Sequence, residues 1–293
     1  MSGMGTGDAF VPEVAVDSVV EGIAGATVLY GSPAVVVASN LGEVGGLKLG
    51  LLVNVPYFGM IPPFQMNVPE KVGLVPDKAS ETVEQSTVKQ AGVKVEWSQW
   101  LQLVQQARSR NLDPYTLFAN MVRQRFIHGV EKEIITAART GLSSDYINDA
   151  SSDTITWDSI VDTRYLGGDE ADIQLISMHS KVKADSLKLK DGNDRPLFVD
   201  AMNGNQGDIP KIQGVTVKTS DLNYVSSANP PLYDTLVMQD NAMALWHSMP
   251  TIELDRDKTA NMNYIVSWFF YVIHRYNKLP GKTKGGVFIN RTR

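Results

Sequence analysis

No cysteine occurs in the 293 residues. Disulfides and thiolate-held metals are therefore excluded, and a reducing compartment is compatible with the composition. Histidine is nearly as scarce: there are four, and no two stand four positions apart, so a helix-borne zinc pair is missing. Long apolar runs are missing too. The longest, Ile265 to Ile273, has nine residues and is broken by Ser267; a membrane-spanning helix takes roughly 20. The opening residues, Met1 to Asp8, carry neither a basic nor an apolar region, so no secretory signal is read there. Excess positive charge is absent as well. At a net −5 the chain does not bind nucleic acid by bulk electrostatics. The expectation is a soluble cytoplasmic protein with no membrane contact, no metal and no cofactor.

What is present describes a folded chain. Hydrophobic residues make up 43% and charged residues 20%, and the length allows one or two domains with a large core. The charge is unevenly spread. From Arg275 onward there are six basic residues (Arg275, Lys278, Lys282, Lys284, Arg291 and Arg293) and no acidic ones. That asymmetry suits contact between an acidic and a basic face, or contact with nucleic acid; a solvated tail is the plain alternative.

Leu47, Leu49, Leu51, Val53, Val55 and Tyr57 alternate with the intervening positions, a period-2 strand with one apolar face. It runs into five prolines (Pro56, Pro62, Pro63, Pro69 and Pro76), which remove backbone donors and exclude a helix or a central strand. Residues 81–94, polar with interspersed valines, read as an exposed return strand. The two strands form a long extended hairpin with too few apolar residues for a core of its own. A projecting arm that packs on a neighbouring subunit accounts for it, as does a disordered loop.

Residues 97–109 suit a helix with Trp97, Trp100, Leu101 and Val104 on one face. A clearer helix follows. Asp113 suits its N-cap and Pro114 its first position. Phe118, Val122, Phe126, Val130, Ile134 and Ala138 then recur every four residues, and Gly141 supplies the stop. Its length is about 40 Å at roughly 1.5 Å per residue. Such a spine suits a flat, elongated subunit.

Further along, 157–166 suits a short helix, and Ile173 to Met178 a buried strand followed by the turn His179-Ser180 and a charged helix. A hairpin-like return follows at 209–221, with strands expected at 233–246, 251–255 and 264–274. The last of these is apolar on both faces and so expected to be buried.

Candidate chemistry is weak. Gly281-Lys282-Thr283 ends like a phosphate-binding loop, but Tyr276 stands where the motif needs glycine. His179-Ser180 pairs a base with a hydroxyl, yet adjacency is not a triad, and Ser180 reads better as a helix N-cap. Asp169, Glu170 and Asp172 cluster after two glycines and read as a solvated turn rather than a cation loop.

The order of elements carries more information. Phe10-Val-Pro-Glu-Val14 opens an arm. The extended hairpin, the spine helix and an α/β unit follow. Leu175-Ile-Ser-Met-His-Ser180 marks a strand-to-helix junction, and Ile209-Pro-Lys-Ile-Gln-Gly-Val-Thr-Val217 a return. Tyr233-Asp-Thr-Leu-Val-Met-Gln-Asp-Asn-Ala242 and Ile252-Glu-Leu-Asp-Arg-Asp257 lead back toward the spine. This series resembles the major capsid protein of tailed double-stranded DNA bacteriophages, the Hong Kong 97-type fold.

The resemblance implies an α+β, Hong Kong 97-like fold: an N-terminal arm over 1–46, an extended loop over 47–95 that reaches a neighbouring subunit, and an axial α/β domain over 151–249. A peripheral domain, formed by 96–150 and 250–293, would hold the spine helix at 113–140. It also implies a non-enzymatic shell subunit, assembled in the host cytoplasm into the virion capsid as pentamers and hexamers around non-specifically contacted double-stranded DNA. A separate scaffolding protein, a portal and a decoration protein are the further partners it suggests. Val53, Val55, Tyr57, Phe58, Phe64, Lys71, Lys78, Arg123, Arg125, Arg275, Lys282 and Lys284 are the expected inter-subunit contacts. Neither proteolytic removal of an N-terminal scaffold segment nor a lysine–asparagine cross-link is expected. An encapsulin-like compartment is the same-fold alternative. A soluble hydrolase using His179 or the Asp169–Asp172 group is the rival from another class.

Overall fold

The structure is a computed structural model and describes residues 28–38, 50–58, 81–96, 104–109, 114–190, 211–212, 214–248, 251–257, 262–279, 282 and 284–293. The organising element is the helix α1, Pro114–Arg139. Pro114 opens it as expected, and Gly141 (φ +67°) follows its end in the left-handed region that glycine adopts most cheaply. Val122, Phe126, Val130, Ile134 and Ala138, all buried, form one face of the helix. The last carbonyls are not left to water: Arg275 Nη1 donates to Ala138 O at 3.1 Å and Nη2 to Gly141 O at 3.2 Å. A cation at the C-terminal end also opposes the helix dipole. Residues 104–109 are helical, within the stretch expected to be so.

Two larger sheets share a buried core with this helix. Sheet one contains β1 (Val35–Ala38), β4 (Lys89–Glu96), β10 (Met243–His247), β11 (Thr251–Asp257) and the 14-residue β12 (Met262–Arg275). β12 is central, antiparallel to β10 and β11 and also to β4, while β1 runs parallel to β10. That position explains its apolar residues on both faces. Sheet two runs in the order β5-β13-β9-β6-β8-β7. Its strands are β5 (Ile147–Ala150), β6 (Ile173–Met178), β7 (Lys211–Ile212), β8 (Val215–Thr219), β9 (Tyr233–Gln239) and β13 (Val287–Thr292). A separate two-stranded sheet pairs β2 (Leu52–Phe58) with β3 (Glu81–Thr87).

One core joins helix and sheets. Ile134 and Phe126 from α1, Leu245 and Phe269 from sheet one, and Leu175, Leu236 and Ile289 from sheet two belong to one buried cluster. The opposite face of sheet two covers a second cluster around Phe288, Met178, Val182 and Ile160. Ile160 comes from α2 (Trp157–Tyr165), opened by a reciprocal capping box between Thr156 and Ser159. Val182 comes from α3 (Ser180–Ser186).

Four expectations need correction. First, the return strand is not one strand: β3 belongs to the hairpin, and the chain breaks at Val88 to enter sheet one as β4. Second, 233–246 is two strands in different sheets. β9 lies in sheet two and β10 in sheet one, joined by Asp240, Asn241 and Ala242. Third, Ser180 does not cap α3. His179 does, its Nδ1 accepting from Lys181 N at 3.1 Å, while Ser180 N donates to Asp221 Oδ1 at 3.2 Å. Fourth, the basic end is no solvated tail, because 287–292 is the strand β13, held between β5 and β9. Sheet membership also crosses the expected boundaries. β10 precedes residue 250 yet lies beside β12, while β5 and β13 sit with the 151–249 strands.

Candidate interaction surface

The β2–β3 hairpin is the element with the least core beneath it, and its two faces differ. Register places Leu52 opposite Thr87 and Pro56 opposite Val83, so these four share one face. Leu52 is 54% exposed and Val83 56% exposed. Val53, Glu84 and Ser86 share the other face, turned toward β12. Val53 packs with Val88, Val272, Trp246 and Phe270 in a small cluster of its own. Pro56 is tolerated because β2 pairs on one side only.

The hairpin base is closed by backbone bonds, Val88 N to Leu51 O at 2.9 Å and Gly50 N to Val88 O at 3.1 Å. Polar groups then fix it to β12. Ser86 Oγ lies 2.8 Å from His274 Nδ1, and His274 Nε2 lies 3.0 Å from Glu84 Oε2, close but off the ideal hydrogen-bond line. Glu84 Oε2 also accepts from Asn277 N at 3.3 Å. Burial holds the His274 imidazole below its ordinary pKa, with Arg275 adding to that and Glu84 opposing it.

A second feature lies between α1 and sheet one. A groove of about 330 Å³ has Val122, Phe126, Val130, Val93, Phe269 and Tyr271 among its walls, with Arg125, Lys132 and Glu133 also lining it. Gly129 sits in its helical wall, and a Cβ there would meet nothing within 4 Å. Burial, aided by the nearby Glu133 carboxylate, pushes the Tyr271 hydroxyl up to about 12.

The sequence-expected contact residues scatter over these features. Val53 is used within the chain. Val55, Tyr57 and Phe58 occupy β2 in register with Glu84, Thr82 and Glu81. Phe64, Lys71 and Lys78 lie outside the described residues, as do 1–27 and 39–46 of the arm expected over 1–46 and the segment 209–210. Arg123 is on α1, and Arg125 is exposed beside the groove. Arg275 is engaged at the end of α1. Lys282 Nζ donates to Gln239 Oε1 at 2.8 Å and Lys284 Nζ to Leu166 O at 2.5 Å. Sequence reasoning missed Leu52 and Val83, the two strongly exposed apolar residues that share a hairpin face. Their signal was the parity of β2, whose even positions face away from Val53.

The chemistry weighed for the hydrolase reading is dispersed. His179 Nδ1 is taken by the helix cap, and its Nε2 is 3.9 Å from Asp221 Oδ1. Asp169 lies in a single 3-10 turn (Gly168–Glu170), and Asp172 Oδ1 accepts from Gln174 Nε2 at 2.8 Å. Among the described residues no group of three or more His, Asp or Glu side chains could hold a metal ion. No helix among them is long and apolar enough to cross a membrane.

No protein-family model matches the sequence, and no curated protein does. Solved structures do match. A chain from Microbacterium phage Oxtober96 matches with a TM-score of 0.61 at 12% identity, over 100% of this chain and 96% of that one. The capsid of Ralstonia phage GP4 gives 0.56 at 10% identity, over 91% of both chains. The capsid of an empty GTA particle computed with C5 symmetry gives 0.58 at 12% identity, over 88% of both. Such low identities speak for the fold and not for individual residues. A mixed α+β architecture of two sheets and a spine helix, matched over most or all of its length, gives this chain the fold of phage and GTA capsid subunits.

Proposed function

We propose that the chain is a major capsid protein that self-assembles into the icosahedral head enclosing phage double-stranded DNA. The observation that carries this reading is the likeness, over 91% and 88% of the chain, to the capsids of a phage and of a GTA particle. The hairpin supports it: an unsupported two-stranded ribbon is marginal alone in water, and this one exposes Leu52 and Val83 on the face turned from its own chain. In this reading the hairpin of one subunit lies on its neighbour, as the Hong Kong 97-type extended loop over 47–95 would. The groove beside α1 is the receiving surface. The remaining segments follow the same scheme in outline: an arm over 1–46, a peripheral domain over 96–150 and 250–293 whose sheet also takes in β1 and β10, and an axial domain over 151–249 whose sheet also takes in β5 and β13. Many copies of a modest interface add up in a closed shell. The role is structural rather than enzymatic, located in the virion. Pentamers, hexamers, a scaffold and a portal are the partners this assembly would use.

Negative-stain microscopy and size-exclusion chromatography test it. The wild-type chain, with a scaffold where needed, is expected to form closed particles. Leu52→Asp with Val83→Asp is expected to yield small species at unchanged thermal stability. A strictly monomeric wild type at high concentration with scaffold present, or normal particles from the double variant, counts against the reading. The encapsulin-like alternative predicts cargo protein inside particles where this one predicts DNA.

A further inference from the structure

Two helices carry outward faces of opposite charge. Residues 145–172 hold eight acidic side chains and one basic, Arg164. They include α2, where Asp158, Asp162 and Tyr165 stand at i, i+4 and i+7 and so share one face. All three are exposed, Tyr165 to 64%. Asp158 lies in the first turn, where a carboxylate suits the helix dipole. Asp162 is past that turn, and the dipole does not account for it.

α1 presents the complement. Met121, Arg125, His128 and Lys132 follow one another at i, i+4, i+7 and i+11, and all are exposed. No acid interrupts this stripe: Glu131 is buried and bonded to Leu29 N, and Glu133 pairs with Lys89. Among the described residues no ion pair engages Asp158, Asp162, Arg125 or Lys132. The two faces do not meet within one chain. α1 shares a cluster with Leu175, Leu236 and Ile289 on one side of sheet two, while α2 packs on the other side, against Phe288 and Val237. A contact between them therefore joins different copies through unlike surfaces, the head-to-tail type that can close into rings.

We propose that the outward face of α2 docks on the outward face of α1 in the next copy, with Asp158 and Asp162 opposite Arg125 and Lys132 and Tyr165 beside Met121. This names a subunit contact within the shell reading and rests on it. The two acids stand about 6 Å apart along α2 and the two cations about 10 Å apart along α1, a difference that the long basic side chains span. Met121, 46% exposed, and Tyr165 give each face one large apolar side chain for the centre of the contact. Arg125 and Lys132 also border the groove, so the neighbouring hairpin and this contact take adjoining surfaces of α1. Charges placed this way decide which surfaces meet more than they add affinity. A closed shell repeats the contact many times, so each copy of it can be weak.

Charge reversal in the full chain, with particles counted by negative-stain microscopy, tests this. Asp158→Lys with Asp162→Lys, and separately Arg125→Glu with Lys132→Glu, should each cut the yield of closed particles about ten-fold or more, because like charges then face each other. All four substitutions together restore opposite charges and should return the yield to within about three-fold of the wild type. If a reversed chain fails to fold, salt replaces it as the probe. Wild-type assembly should weaken between about 50 mM and 500 mM salt, and the neutral pair Asp158→Asn with Asp162→Asn should respond less. Wild-type yields from both reversed pairs overturn the contact and leave the shell reading standing. So does a fourfold variant no better than either pair at equal thermal stability, or a salt response unchanged by the neutral pair. A wild type that forms no particles removes the shell reading and this contact with it.

Discussion

At the scale of residues, one buried tie rests on Asp234. Its carboxylate has 0% side-chain exposure and accepts from Arg139 Nε at 2.7 Å and Arg291 Nε at 2.9 Å. The Arg139 guanidinium also stacks 3.3 Å above the Tyr224 ring. One acid thus joins the end of α1 to the neighbouring strands β9 and β13. Asp234→Ala would leave two guanidinium groups without their counter-ion, and urea denaturation should show a loss of about 3 kcal/mol. Glu131 does comparable work elsewhere: 3% exposed on α1, it accepts from Leu29 N with both oxygens, at 3.1 and 3.2 Å. Burial raises its pKa, and the backbone hydrogen bonds from residues 28–30 oppose that rise without cancelling it. Neither role is visible in sequence. Leu29 and Glu131 are 102 positions apart, and Arg139 and Asp234 are 95 apart; nothing local marks such partners. The same holds for Ser86 and His274. His274 was legible as a buried strand residue, but its partners were not.

Single elements were read more fully, because their signals are local. The four-residue apolar recurrence, Pro114 and Gly141 define α1 without tertiary help, and Ile173–Met178 is buried as its composition suggests. The break at Val88 has no such signal. The inward positions change from even (Glu84, Ser86, Val88) to odd (Ala91, Val93, Val95) across it, but the inward residues of β3 are polar, so the apolar pattern does not mark the change. Gly129 is an element-scale anomaly. Glycine inside a helix costs about 0.5–1 kcal/mol against alanine, and packing among the described residues does not require it here. Gly129→Ala should therefore stabilise the isolated chain by about 0.5–1 kcal/mol in thermal denaturation. If a neighbour's backbone passes over the groove, the same variant should assemble into fewer particles.

At the scale of the whole molecule, sheet membership is what sequence order conceals. Strands adjacent in sequence, such as β9 and β10, part company, while β5 finds β13 from the far end of the chain. Long-range pairing is set by which apolar faces must be covered together, and no window along the sequence contains that information. The shared core has a measurable consequence. Leu175 is 1% exposed in sheet two yet belongs to the cluster that includes Phe269 of sheet one. Leu175→Ala should cost about 2–5 kcal/mol. Near- and far-ultraviolet circular dichroism should still melt together, since both sheets rest on α1. Separate transitions would mean that the two sheets are independent units.

The place of β13 also sets a timetable. A ribosome delivers β5, β6, β8 and β9 well before Val287 emerges, so sheet two waits with a gap between β5 and β9 while synthesis proceeds. During that interval β9 and β5 offer unpaired edges, the kind that pair with other chains. Sheet two is consequently closed only once β13 has been synthesised, whatever the order in which its other strands have paired.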